Sequence, residues 1–583
     1  MKRIYIILLL ALIAAVGCKK STFLDSKSTG LDEQAVFGDS TRTMAFLTRV
    51  YEDIGFAFMK SRWEVGNTEQ ATDDAEYTLE NPARRTVSLY QATYSATSFP
   101  FDGMWNTPWV NIRRVNLFLS KLPSTPLSAS LQRRVTGEAR FLRAYYYAYL
   151  LVNFGGIPLI GEKVFGNEDI INVERSSFKD CVDYIVSELD ESAKLLPAPS
   201  EYADADYGRI TKGTCMALKS RVLLHAASPV FNGGVPSYES LKSNSEVKAL
   251  VGYTDNNVQA RWQAAAKAAD DVIKSGYYAL NIENNVAPGY GFYNVFLKRV
   301  NSEYILFQNR PPNRDMENHY LPSTRGGGKN SMPSQNLVDC FPMKNGKAIT
   351  DPASGYSATN PYVNRDPRFG YTIIYNESLY YLPSAGAKTK VFTYENANTD
   401  GFPSTKTGYY GRKMCDENIS ANSSFNTNRG WPLLRYAEII LNYAEAINEA
   451  TGASDAAIAP AEAYQAIAQL RLRAGIDAGL DNLYGLKPGM TKAEMRAIIR
   501  NERRIELAFE GDHRWNDMCR WGIAETVNNG YNQVMRITLS NGVYTYNRQP
   551  STRLHSFRPE MYLFPIPLSE IRKMPAMKQN PGW

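Results

Sequence analysis

The chain has 583 residues, with 65 Lys plus Arg against 59 Asp plus Glu and a formal charge of +6. The two signs are interspersed, which excludes the one-sided basic footprint of a nucleic-acid binder. The cysteines are widely scattered singletons, so neither a disulfide framework nor a zinc-type spacing is implied. Aromatics make up 12% of the chain and 37 residues are tyrosines. A tyrosine joins an apolar face to a polar tip, which suits a sugar, although helix packing accounts for most of them.

At the start, Lys2 and Arg3 precede an apolar run over 4–16, followed by Gly17 and Cys18. This pattern reads as a secretion signal. The run is too short to cross about 30 Å of hydrocarbon, which takes roughly 20 residues. Small residues at Ala15 and Gly17 give a peptidase access, and Cys18 is the thiol that a lipidating enzyme would alkylate. The segment resembles a bacterial lipobox, with Ala15 where leucine is usual. Acyl chains on Cys18 would anchor the protein, each buried methylene contributing about 0.8 kcal/mol.

Helical periodicity appears over 41–58 and is lost in a polar segment over 68–98. Pro123 and Pro126 mark a break. Over 133–154 a stripe of Val135, Ala139, Leu142, Tyr146, Tyr149 and Leu150 predicts a helix, closed by Gly155 and Gly156. Further helices are expected near 178–196, 214–227 and 261–275. From 277 to 431 short aromatic segments alternate with Gly, Pro, Asn and Ser, including RPPNRD and TRGGGKN. Loops and short strands are expected there. Helices return over 433–450, from Pro460, and from Thr491, where Thr491 and Glu494 form a capping box. Leu433 and Ile467 lie one tetratricopeptide period apart. The expected organisation is a signal over 1–17, a helical region over 18–276, a variable ligand-facing region over 277–431 and a helical region over 432–583.

Several blocks carry a family resemblance: NERRIELAFEGDHRWNDMCRWG over 501–522, ARFLRAYYYAYLLVNFGGIPLI from Ala139, RYAEIILNYAEAINEA from Arg435, LRLRAGI from Leu470 and YVNRDPRF from Tyr362. Together they resemble the SusD/RagB family of outer-membrane nutrient-binding lipoproteins. The resemblance implies a mostly α fold, a tetratricopeptide-like helical repeat core with an irregular insertion rich in loops and short strands. It also implies a cell-surface, outer-membrane location and a SusC-like TonB-dependent transporter as partner. Its cargo would be oligosaccharide, and it would have neither cofactor nor catalytic activity. From the residues alone, Glu502, Arg503, Arg504, Glu506 and Glu510 sit at helical spacings and would pair along the helix or to neighbours. Trp515 and Trp521 read as core anchors.

A glycosidase would need two carboxylates about 5 to about 9.5 Å apart. Asp73 with Asp74, and Asp204 with Asp206, are the conspicuous clustered acids outside helices, and such neighbours more often cap or hold a polar ligand. His225, His319, His513 and His555 are far apart and show no metal-ligand spacing. The run Gly326 to Gly328 lacks the spacing of a phosphate loop and reads as a binding or surface loop.

A sugar site wants an aromatic platform ringed by groups that pair hydroxyls. Two segments qualify: Asp73, Asp74 and Tyr77 with Arg84 and Tyr94, and Asn313, Arg314, Asn318, Tyr320 and Arg325 with Tyr290 and Tyr293 upstream. Trp105 and Trp109 are in register with Ile112 and Asn116 and read as helix packing. Peptide as cargo, or a repeat scaffold without a small ligand, are the competing readings.

Overall fold

The computed structural model describes residues 32–166, 168–397 and 399–583. The expected signal and Cys18 lie outside the described residues. Ten helices organise the core: α1 (Ser40–Glu52), α2 (Asp102–Lys121), α3 (Ala129–Phe154), α4 (Phe178–Leu195), α5 (Lys212–Ala227), α6 (Val258–Lys274), α7 (Tyr436–Glu449), α8 (Ala461–Ala474), α9 (Lys492–Glu506) and α10 (His513–Arg520). Helix α3 packs on α2 and α4, α5 on α4 and α6, and α7 on α8 and α9. Helix α6 packs directly on α7, so the row continues although more than 150 residues of chain intervene. Alanines make that approach possible: Ala265, Ala266, Ala446 and Ala227 are all buried in one cluster at this junction.

Local chemistry sets the helix ends. Gly155 closes α3 at φ +76°, and a Cβ there would stand 2.9 Å from the Leu250 carbonyl oxygen, so the position requires glycine. Thr491 and Glu494 form the expected reciprocal cap on α9. Trp515 and Trp521 are buried, and Trp521 donates from Nε1 to Glu445 at 2.7 Å.

The described strands form five two-stranded antiparallel sheets. Those that matter here are β1 (Ala75–Tyr77), β2 (Tyr304–Asn309), β3 (Ser331–Pro333), β4 (Gly430–Arg435), β5 (Gly530–Ser540) and β6 (Val543–His555). Strand β1 pairs with β3, β2 with β4 and β5 with β6. Two differences from the sequence expectation stand out. Residues 433–435 are strand, not the first turn of a helix: they pair antiparallel with β2, and because every residue of β4 is buried no alternation marks it as strand in the sequence. Region 432–583 also holds the longest hairpin. Its turn is Asn541-Gly542, with φ of +51° and +78°, the pair that suits the twist of a tight hairpin.

Helix α9 carries the charges that tie these parts together. Glu506 accepts from Arg435 at 2.8 Å, from Arg368 at 2.9 Å and from Arg473. Glu502 accepts from Arg368 at 2.6 Å and Arg471 at 3.0 Å. Glu303 takes Arg473 and Arg435, and Glu510 takes Arg435 and Lys413. Asp366 completes the set at 2.7 Å from Arg368. Four arginines and one lysine therefore face five carboxylates, all nearly solvent-free. Burial alone would raise the Glu506 carboxyl, but Arg473, Arg435 and Arg368 outweigh it and hold it far below the usual range.

Replacing Glu506 by alanine leaves three guanidinium groups in the interior without their shared acceptor. The expected loss is about 3 to 5 kcal/mol of stability, read as a lowered midpoint in thermal or urea unfolding. Lys267→Ala, which removes an exposed pair with Asp271, should cost well under 1 kcal/mol.

Candidate ligand-binding cleft

The β2–β4 ladder ends where Pro311 and Pro312 follow Arg310, since proline has no N–H to donate. At that end an open cleft of about 300 Å³ forms. Trp431, the second residue of β4, is its floor. The ring lies 5.7 Å from Phe58, and the Arg310 guanidinium sits 4.4 Å above it. Arg310 is 3.5 Å from Asp315, which opens a short helix, Asp315–Tyr320. That helix buries Met316, Glu317, His319 and Tyr320 and turns Asn318 outward to the rim.

The glycine run folds back on the same helix. Gly328 donates to the Asn318 carbonyl at 2.8 Å and Asn330 to that of His319 at 2.8 Å. A Cβ on Gly327 would fall 2.0 Å from the Leu321 carbonyl oxygen, so only glycine permits this return. It brings Asn330 to the rim beside Asn318, with Met59 and Ser61 opposite.

Behind the wall lies a closed set of charges. Lys60 is 3.3 Å from Glu69, which also accepts from the Tyr320 hydroxyl at 3.0 and 3.1 Å. His319 stands 3.5 Å from Glu69, its imidazole pushed down by burial. Burial and the Glu69 carboxylate push the Tyr320 phenol well up. These groups hold Lys60 and His319 in place and have little capacity left for a ligand. Two donors at the cleft are different: the Trp431 Nε1–H and the Arg310 Nε–H are buried and have no acceptor in the protein.

Of the residues expected from the sequence, Asn318 alone lines this cleft. Asp73 is 3% exposed and accepts two bonds from Arg514 at 2.8 Å, while Asp74 is 1% exposed and takes Arg504 at 2.6 Å. Both therefore join the early loop to α9 and α10. Burial raises the Asp73 carboxyl, but Arg504 and Arg514 more than reverse it. Tyr77 is interior in β1, and Tyr94 stacks on Trp583 at 5.2 Å. Arg84 caps a short helix from outside the cleft.

In the second expected segment Tyr320 and Arg325 are interior, Arg325 donating to the Thr389 hydroxyl at 2.6 Å. Tyr293 is buried, accepts from the Glu417 N–H at 2.9 Å and stacks on Tyr371. Tyr290 is half-buried, 5.6 Å from Tyr293. Asn313 bridges to Thr427, and Arg314 is half-buried beside it. Arg310, Asp315, Asn330 and Trp431 line the cleft although composition did not single them out. The RPPNRD stretch holds the first two, and its paired prolines mark the end of the ladder.

A separate pocket of about 110 Å³ lies among α3, α5, α7, α9 and α10, with Glu438, His225 and His513 on its wall. Glu438 is held by Arg221 and lies 3.7 Å from His513. Burial pushes the His225 imidazole far down, and His513 down to about 4 against the pull of Glu438. Among the described residues no three His, Cys, Asp or Glu side chains converge to hold a metal ion.

A family model described as the SusD family matches residues 298–583, and one described as starch-binding, associating with outer membrane, matches residues 22–224. The SusD-like protein P38 of Formosa agariphila is 23% identical over 534 residues, spanning 88% of this chain and 90% of that protein. SusD-like protein P2 of the same organism is 31% identical over 167 residues, which is 28% of either chain. The solved structure of a SusD-like carbohydrate binding protein from Bacteroides fragilis superposes with a TM-score of 0.69 at 23% identity, covering 93% of this chain and all of that one. That likeness speaks for the fold.

The three depressed histidines, His225, His319 and His513, give stability a direction in pH. Below about pH 6.5 the unfolded chain takes up protons that folded His513 refuses until about pH 4, so unfolding binds protons and stability falls on acidification across that window. Thermal midpoints between about pH 7 and about pH 5 should drop, and His513→Gln should flatten part of the slope. An unchanged slope in that variant would show that other groups carry it.

Proposed function

The chain belongs to the SusD/RagB family, and from that premise we propose that it is a non-catalytic, glycan-capturing lipoprotein of the outer membrane. In this reading Cys18 carries the lipid anchor, the body faces the cell surface, and captured oligosaccharide passes to a SusC-like TonB-dependent transporter. The starch-binding and outer-membrane description of the matching family model supports cargo and location, as does the carbohydrate binding protein among the structural neighbours.

The observation that carries the reading is the cleft at the end of the β2–β4 ladder. Its floor pairs an aromatic ring with a guanidinium, and its rim carries two carboxamides. Carboxamides bond sugar hydroxyls in either sense. Capture rather than cleavage also fits the local acids, because Asp315 is engaged by Arg310 and Glu69 by Lys60. A hydrolase needs carboxylates free to exchange a proton or attack.

Native electrophoresis through gels containing a panel of glycans should show retardation by at least one, with no release of reducing ends. Asn318→Ala and Arg310→Ala should each weaken that binding roughly tenfold, about 1.4 kcal/mol. Retardation by none, with binding on a peptide array instead, would replace glycan by peptide as cargo. Separately, Cys18→Ser should move the protein out of the membrane fraction and abolish labelling by a fatty-acid analogue. Retained membrane association would overturn the anchor.

A further inference from the structure

A groove of about 490 Å³ lies between the last turns of α2 and the first turns of α3. Leu119, Leu122, Pro123 and Ala129 make its wall apolar near the turn that joins the two helices. Pro123 and Ala129 are exposed and Leu119 is half-buried, so this wall is open to solvent. Glu162 stands at the far end, where Asn116 holds the carbonyls on either side of it, those of Gly161 and Lys163, at 2.9 Å. Arg133, exposed on the α3 side, donates to the Lys194 carbonyl at 2.9 Å and pairs with no carboxylate among the described residues.

The described chain enters beside this turn. Asp32 caps the short helix Glu33–Phe37, accepting from the Ala35 N–H at 2.7 Å. Glu33 is 2.6 Å from Lys121, the last residue of α2, and the Ser40 hydroxyl donates to the Pro126 carbonyl at 3.3 Å. Between Cys18 and Asp32 run thirteen residues, KKSTFLDSKSTGL over 19–31, which lie outside the described residues. Fully extended they reach about 45 Å, whereas the α3 wall from Ala129 to Arg140 is about 16 Å long. The segment is long enough to round the end of α2 and still fill the groove.

Its chemistry matches the groove. Phe23 and Leu24 are adjacent apolar side chains, Asp25 is the one acid among the thirteen, and Lys27 follows it. The groove offers an apolar wall next to a guanidinium that lacks a carboxylate, and an exposed carboxylate beyond. We infer that the segment around Phe23, Leu24 and Asp25 docks in the α2–α3 groove, with Asp25 against Arg133. A tethered segment needs only modest contact, since so short a link holds it at an effective concentration in the millimolar range. Where Cys18 carries the lipid, a consequence that rests on the anchor reading, four free residues remain before Phe23. The α2–α3 end of the body then sits within about 20 Å of the lipid and is the side that faces the membrane.

The test follows cleavage after Lys27 by a lysine-specific protease in the full-length folded protein, read by mass spectrometry. Docking protects that bond. Ala129→Trp, which fills the groove from an exposed position, and Arg133→Asp, which repels Asp25, should each speed cleavage roughly tenfold by raising the undocked population. An unchanged melting curve shows that either variant folds. Asp25→Arg combined with Arg133→Asp should restore protection. Equal cleavage rates in the natural protein and all three variants would overturn the docking. A concentration-dependent dimer that Ala129→Trp abolishes would give the groove to a second copy and overturn it as well. Protection that persists in a Cys18→Ser protein still held in the membrane would sink the anchor reading and leave the docking standing.

Discussion

The balanced charge cluster around α9 is the constraint on which the rest of the molecule depends. It draws Glu303 from the start of β2, Arg435 from the end of β4, Arg471 and Arg473 from α8, and Arg368, Asp366 and Lys413 from the irregular middle region. Removing ten charged groups from water is costly, and a hydrophobic replacement of the same volume would often be as stable. What the ions supply is geometry, since a guanidinium offers donors in a fixed fork and each carboxylate accepts from defined directions. Five sequence-distant segments can meet only one way and still leave no charge unpaired.

This has a direct effect on the cleft. Arg435 ends β4, and Glu303 immediately precedes β2, so the network grips one end of the ladder. The opposite end is the one that opens at Arg310 and Trp431. Behind it, Lys60, Glu69, His319 and Tyr320 form a smaller closed set that fixes the wall. Lys413 shows how complete the main closure is: burial pulls its amine down to about 8 even with Glu510 beside it. A cleft built this way is shaped before a ligand arrives, and less conformational freedom is lost on binding.

The parts of this fold that are legible in the sequence are those governed by neighbours in the chain. Gly155 after an apolar stripe, and Thr491 three residues before Glu494, are local devices that work in any context. The Asn541-Gly542 turn between alternating residues is equally local, yet the sequence expectation for 432–583 names only helices, because the strong helical blocks before it dominate that region. Strand β4 is different, because it is buried on both faces and only its pairing with β2 decides against helix. The cleft-lining residues are less legible still. Asp73, Asp74 and Tyr320 have the composition of a sugar site, yet arginines from α9 and α10 and the Glu69 carboxylate claim them. Residue type does not reveal whether a partner hundreds of positions away has already taken the side chain.

The same reasoning separates an interior polar residue from an available one. Most buried polar groups here are paired, and an inward-facing arginine such as Arg175 is satisfied by three backbone carbonyls and the Asn580 side chain. Asn318 is of the available kind: it is exposed on the rim of the cleft, while Lys60, Glu69, His319 and Tyr320 behind it are engaged with one another.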